Sequence, residues 1–305
     1  MTTSPETGIV TVLYNSAPVL PGFFASLAGQ TFRDFVLYII DNASPDNSLA
    51  LARDLARGAD FKVVVIPLEV NAGAAGGNNA GIRRAMADGC RMVLLTNNDV
   101  EFAPGTIETL RSGMITIGAD MAAPKIYFYG TDIIWFAGGR FLANGWNSHT
   151  GRLKEDKGQW DTPGPTGFAP TTFLLLRREV FEKTGLIDET YFIYWEDTDL
   201  IYRALHKKKF ALWYIPTAVV HHKESTTTVA GSDLQNYYLY RNFIYFALKN
   251  YGFPKKIYVP MLALLSDVKM VLQSNVKGAA FRFRAHVDGV KLYCGHEVKT
   301  RYAHP

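Results

Sequence analysis

The chain has 305 residues, 48% hydrophobic and 20% charged, which suits one large globular domain or two small ones with a sizeable core. Cys90 and Cys294 are its two cysteines, too few for a disulfide framework or a cysteine metal site, which fits a reducing, cytoplasmic setting. The net charge is +4; no run of about 18 apolar residues predicts a membrane-spanning helix, and the polar residues 1–7 do not read as a secretion signal.

The first predicted strand covers residues 9–14 and ends in Asn15-Ser16; Pro18 opens an amphipathic helix to Ala28. A second strand over 35–40 ends in Asp41-Asn42, and Ser44 is placed to cap the helix that follows. The third strand is 61–66. Residues 71–79 then read as a Gly-rich turn into a helix over 80–87. Its glycines lack dinucleotide-fold spacing and the Lys-Ser/Thr ending of a P-loop, yet glycine allows close approach and a helix start offers amides to an anion. The fourth strand, 91–96, ends in Asn97-Asn98-Asp99. The βαβαβαβ alternation to residue 99 predicts a parallel sheet covered by helices. Right-handed crossovers bring the ends at Asn15, Asp41 and Asp99 to one edge, where open α/β sheets bind ligands. A carboxylate there, flanked by amides, suits a hard divalent cation that also bridges phosphate oxygens; alone, the same residues read equally well as a helix-capping loop.

A helix is expected from Pro104 to Ile117 and a strand over 119–126. Residues 127–170 are rich in glycine and aromatics, with hairpin strands near 133–137 and 140–143, and read as a variable substrate region. A strand over 171–177 and a short helix stopped by Gly185 follow. Next comes Tyr191-Phe192-Ile193-Tyr194-Trp195-Glu196-Asp197-Thr198-Asp199, opening a helix in which Asp199 can pair with Arg203. Acidic residues in a first turn commonly complement the helix dipole. For Glu196 and Asp197, crowded by aromatics, desolvation raises a carboxylate pKa and makes a better base. A strand over 210–215 is closed by Pro216, and His221 and His222 then point to opposite faces. Helices over 237–250, 255–272 and 276–292 complete the chain. From residue 253 onward nine Lys/Arg stand against three Asp/Glu, among interleaved apolar residues. That composition fits packing on the main domain, a homodimer contact or a peripheral membrane contact.

The ordered set Tyr14-Asn15, Asp41-Asn42-Ala43-Ser44, Asn71-x-Gly73-x-x-Gly76-Gly77-x-Asn79-x-Gly81, Asn97-Asn98-Asp99, Glu196-Asp197-x-Asp199-Leu200 and His222-x-x-Ser225 resembles glycosyltransferase family 2. The Tyr-Tyr-x-x-Arg-Asn run ending at Asn242 is similar to its bacterial rhamnosyltransferase-like branch. The resemblance implies an α/β GT-A fold over residues 1–250, Rossmann-like, with a mostly parallel central sheet and flanking helices, plus a C-terminal helical extension over 251–305. It implies an inverting transferase that uses Mg²⁺ or Mn²⁺ and moves a sugar, rhamnose first, from a dTDP- or UDP-linked donor. The acceptor would be a hydroxyl of a glycan or lipid-linked molecule in bacterial surface polysaccharide synthesis, met at the inner face of the plasma membrane. By the same resemblance Tyr14 and Asn15 form the first nucleotide-binding loop and Asp41 holds the base. Asn71, Gly77, Asn97 and Asn98 complete the nucleotide-sugar set. Asp99 and His222 hold the metal, and Asp197 is the catalytic base with Glu196 in reserve.

Asn97 stands where the family's first metal aspartate often sits, which removes one charge and motivates a rival: a catalytically silent sugar-nucleotide or glycan binding module. A nucleotidyltransferase would carry a basic Gly-rich loop after the first strand, and Tyr14-Asn15-Ser16-Ala17-Pro18 has none. No recognised nucleic-acid motif accompanies the basic tail, so no nucleic-acid partner is expected.

Overall fold

The computed structural model describes residues 5–224 and 231–298; Ser225 lies outside them. The first half alternates β1 (Thr7–Leu13), α1 (Leu20–Ala28), β2 (Phe35–Asp41), α2 (Ser48–Gly58), β3 (Lys62–Pro67), α3 (Gly73–Ala87) and β4 (Met92–Thr96). β1, β2 and β4 are almost wholly buried apolar runs, which is the pattern of strands covered on both faces. They pair in parallel in the order β3-β2-β1-β4. The chain then adds β5 (Val100–Phe102), α4 (Thr106–Ile117), β6 (Met121–Phe128), β7 (Ile134–Phe136), β8 (Gly139–Phe141), β9 (Asn147–His149), β10 (Gly164–Pro165), β11 (Phe173–Arg177) and α5 (Arg178–Thr184). α6 (Glu196–Tyr202) runs on through a π-helical turn at Arg203–Lys207, and β12 (Leu212–His222) closes the sheet.

β11 inserts antiparallel between β4 and β6, and β12 lies parallel to β6. Order therefore reverses at β1 and β4, where a crevice opens beyond the strand ends. Helices α7 (Asp233–Asn250), α8 (Lys255–Leu272) and α9 (Val276–Tyr293) finish the chain. They carry a separate aromatic core, in which Tyr191 and Trp195 pack with Phe243, Phe246, Tyr251 and Val259. Mixed α/β architecture with a mostly parallel central half and C-terminal helices agrees with the sequence reading.

Four local expectations need correcting. The Gly-rich stretch is not a turn before a helix at residue 80: α3 already begins at Gly73. Its glycines serve packing, since a Cβ at Gly77 would lie 2.6 Å from Val12 Cγ1 and one at Gly81 2.3 Å from Val10 Cγ1. Ser44 caps nothing; α2 starts at Ser48 with Asn47 at its N-cap. The strands near 133–137 and 140–143 exist but do not form a hairpin, because β7 pairs with β6 and β8 with β9. Finally, Pro216 does not end its strand. β12 passes through it with a register shift between Ile215 and Val219, and so delivers both histidines on one strand.

Candidate active site

A cleft of about 890 Å³ opens at the ends of β1 and β4. Nine of the eleven expected site residues line it: Tyr14, Asn15, Asn71, Asn97, Asn98, Asp99, Glu196, Asp197 and His222. Asp41 and Gly77 do not. Asp41 is buried at the end of β2, where its Oδ2 accepts from the Ser44 N–H at 3.4 Å while its Oδ1 has no hydrogen-bond partner among the described residues. Gly77 faces β1, as its close approach to Val12 requires.

The wall at the strand ends is made largely of amides. Asn15 leaves β1 in a left-handed conformation, φ 53°, which asparagine tolerates better than most residues. Asn98 Nδ2 donates to Val12 O at 2.7 Å and so ties the end of β4 to β1. Asn42, which the sequence reading passed over as a functional residue, closes the next corner. Its Nδ2 donates to Asn71 Oδ1 (2.8 Å), and its Oδ1 accepts from the Ala72 N–H (2.8 Å). The Gly73 N–H donates to Asn71 Oδ1 and the Ala75 N–H to Phe192 O. The start of α3 is therefore not a set of free amides for an anion: three of them are used to bind the chain to itself.

The opposite wall is built from residues 191–198. Phe192, Tyr194 and Trp195 all have positive φ (65°, 62° and 72°), a conformation that costs a non-glycine residue on the order of 1–3 kcal/mol. Helix α7 holds them there. Asn242 Nδ2 lies 2.8–2.9 Å from the carbonyls of Tyr191, Ile193 and Tyr194, sharing two hydrogens among three acceptors. Arg241 donates to Thr190 O and Tyr191 O. Trp195 is buried against Phe243 and Phe246, with ring centroids 5.3 and 5.1 Å away. Below the loop, Lys249 bridges Asp188 (2.6 Å) and Asp199 (2.9 Å), and Arg203 pairs with Asp199 at 2.6 Å, the i,i+4 partner expected from sequence. Burial would raise the Asp188 carboxyl, but Lys249 holds it down at about 2.

So held, the loop presents Glu196 and Asp197 to the cleft. Burial pushes the Glu196 carboxyl up to about 8, and the neighbouring Asp197 charge adds to the effect. Glu196 Oε2 is buried without a hydrogen-bond partner among the described residues. Burial raises Asp197 as well, against the Thr198 hydroxyl (3.0 Å), the Thr198 N–H and the Thr171 backbone, which all favour its anion. Burial thus raises both carboxyls, and Asp197 carries the larger set of hydrogen bonds that favour the anion.

Across the cleft, His222 Nε2 sits 3.1 Å from Asp99 Oδ1, both side chains buried. That is the spacing of neighbouring ligands around a small octahedral cation, about 3 Å for ligand bonds of about 2.1 Å. One carboxylate and one imidazole fit such an ion as part of its shell, with diphosphate oxygens and water as the remainder. Among the described residues no group of three or more His, Cys, Asp or Glu side chains could hold a metal alone.

Three further lining residues carried no readable sequence signal. Trp135 packs edge-on to His222 at 4.8 Å, and burial among aromatics lowers the His149 pKa to about 4, leaving a neutral imidazole. Arg152 is the one Lys/Arg side chain lining the cleft among the described residues; it pairs with Glu224 at 3.0 Å and lies over Trp135. Trp135 lies on β7, His149 on β9 and Arg152 just after it, all within the 127–170 region read as substrate-binding, but no motif singles them out.

Residues 8–185 match the family described as Glycosyl transferase family 2. The chain belongs to that family. It is 28% identical over 247 residues to the N-acetylglucosaminyl-diphospho-decaprenol L-rhamnosyltransferase of Mycobacterium tuberculosis, covering 72% of this chain and 76% of the relative. An uncharacterized glycosyltransferase of Bacillus subtilis, YwdF, is 31% identical over 102 residues, or 33% and 35% of the two chains. Among solved structures, GalNAc-T7 with UDP, GalNAc and Mn²⁺ superposes with a TM-score of 0.67 at 15% identity, over 93% of this chain. This chain spans only 55% of that one. The mannosyltransferase PcManGT of Pyrobaculum calidifontis with GDP-Man and Mn²⁺ gives 0.57 at 12%, covering 95% and 88%. At such identities these structures establish the fold, GT-A, and the family establishes a glycosyltransferase whose sequence is rhamnosyltransferase-like.

Proposed function

We propose that the protein is an inverting, metal-assisted hexosyltransferase. In this reading it moves a sugar, rhamnose first among the candidates, from a dTDP- or UDP-linked donor to a hydroxyl of a glycan or lipid-linked acceptor in bacterial surface polysaccharide synthesis. The observation that carries the reading is the meeting of two unlike charged pairs in one cleft: Asp99 with His222 at 3.1 Å, and buried Glu196 with Asp197 on the facing wall. The relative from M. tuberculosis supports rhamnose and a lipid-linked acceptor by its name, and the Mn²⁺ in the two solved structures supports a divalent cation.

Asp99 and His222 would hold Mg²⁺ or Mn²⁺, which when bound neutralises a diphosphate leaving group. Tyr14, Asn15, Asn71, Asn97 and Asn98 would border the nucleotide sugar. Asp41 Oδ1, buried behind the lining and without a partner among the described residues, would accept the imide N–H of a uracil or thymine ring once the cleft opens to it. Asp197 takes the proton of the acceptor hydroxyl as that oxygen attacks the anomeric carbon; the bond to the diphosphate breaks on the opposite face, so the configuration inverts. Glu196, protonated, donates a hydrogen bond rather than competing for the proton.

The test is a donor panel followed by nucleotide-diphosphate release, with and without Mn²⁺, for the wild type, Asp197→Asn and Asp99→Ala. Release from one donor, metal-dependent and lost in both variants, is expected. Failure of every donor both to react and to bind would favour the glycan-binding form of the non-catalytic module that Asn97 motivates.

A further inference from the structure

Helix α8 is amphipathic twice over. Its inner face, Val259, Ala263 and the buried Asp267, packs on the protein. Its outer face carries the larger stripe: Ile257, Met261, Leu264, Leu265, Val268, Val271 and Leu272 are 43–81% exposed. At about 100° per residue these seven fall within about 120° of arc, as wide as the buried face of an ordinary surface helix. Phe253 (84% exposed) precedes the stripe, and Val276 and Phe283 extend it onto α9. An exposed apolar area this contiguous marks a binding surface.

Charge identifies the partner. Lys255, Lys269, Lys277 and Arg284 are exposed around the stripe. The carboxylates of the same helices are consumed internally: Asp267 by Arg282 and His286, Asp288 by Tyr237 and Lys291. An apolar stripe with a cationic rim, and with both acids of the two helices already paired, matches an anionic lipid surface. Among the described residues no helix is long and apolar enough to cross a membrane, so the helix would lie in the interface. The inner face of the same helix borders the cleft. Tyr258 Oη donates to Ala143 O at 2.8 Å, Val259 lies against Gly145, and the next residue, Trp146, lines the cleft and stacks on Phe243 at 4.9 Å.

We propose that the outer face of α8, continued on α9, docks the enzyme on an anionic bilayer, with α8 lying between the membrane and the Trp146 side of the cleft. The placement deepens the proposed function, on which its use for a lipid-linked acceptor rests, but the binding itself does not require that function. Full-length protein is floated with phosphatidylglycerol–phosphatidylcholine vesicles and with pure phosphatidylcholine vesicles at low salt. Binding at least ten-fold stronger to the anionic vesicles, weakened by salt, is expected. The double variant L265E/L272E, altered only at exposed positions, should abolish it, and Lys269→Ala should weaken it about five-fold. Nucleotide-diphosphate release from the donor in solution should be unchanged in all three proteins. Wild type that ignores anionic vesicles overturns the proposal, as does unchanged binding by the double variant. So does a wild-type dimer that the double variant converts to monomer without any vesicle binding. Vesicle binding with silence in the donor panel would instead leave the docking intact and remove the catalytic reading.

Discussion

The two walls of the cleft are held by different physics. The strand-end wall inherits its geometry from the sheet: β1 and β4 are locked in register from Thr7↔Met92 to Val10↔Leu95, so whatever follows Leu13 and Thr96 must emerge side by side. The facing wall has no such frame. Its loop runs through three left-handed residues and stays in place because side chains about 50 residues downstream, on α7, grip its carbonyls. The first wall should therefore survive the loss of any one side chain, whereas the second concentrates its stability in a few polar clamps and a buried charge cluster.

The largest effect should come from the group that the second wall exists to present. Asp197→Asn keeps the shape and removes the proposed base, so kcat should fall about 10²- to 10⁴-fold with little change in KM for the donor. The clamp comes next. Asn242→Ala leaves up to three loop carbonyls without their donor and should cost about 3 kcal/mol in denaturant unfolding. It should also lower kcat about ten-fold through misplacement of Asp197. A full stability loss with unchanged kcat would show that α7 supports the fold without positioning the site. Glu196→Gln should act in the other direction. A carboxyl raised on folding binds more protons in the folded chain than in the unfolded one between about 4.5 and about 8, so stability drains as pH rises through that window. The glutamine variant escapes this loss, and its Tm advantage over wild type should grow by a few degrees between about pH 5 and pH 8.

The same contrast explains what could be read in the sequence. Short apolar strands alternating with helices, three of the first four ending in Asx, are local patterns that mark the parallel half and its ligand edge. Asn242 was visible only as part of a Tyr-Tyr-x-x-Arg-Asn run, because a side chain that binds carbonyls on a distant loop leaves no periodic trace. Gly73 to Gly81 misled for a related reason. Glycine punctuates turns when read locally, but here it lets α3 sit against Val10 and Val12, which only the assembled sheet reveals. Pro216 likewise looked like a strand end, and a bulge carries β12 past it to His222. Trp135, His149 and Arg152 reach the cleft from two short strands and a turn whose place at the site only the assembled sheet reveals.

The smallest effect should fall on the strand-end wall, and it sets the scale for the others. Asn98→Ala deletes one hydrogen bond, Nδ2 to Val12 O at 2.7 Å, between two strand ends that the ladder already holds together. The freed carbonyl lies beside the cleft, where water can replace the lost donor, so the cost should be about 1 kcal/mol. Measured by the same denaturant titration as Asn242→Ala, it should be the smaller loss by a factor of about three. Equal losses would mean that the sheet does not fix its strand ends more firmly than α7 fixes the loop.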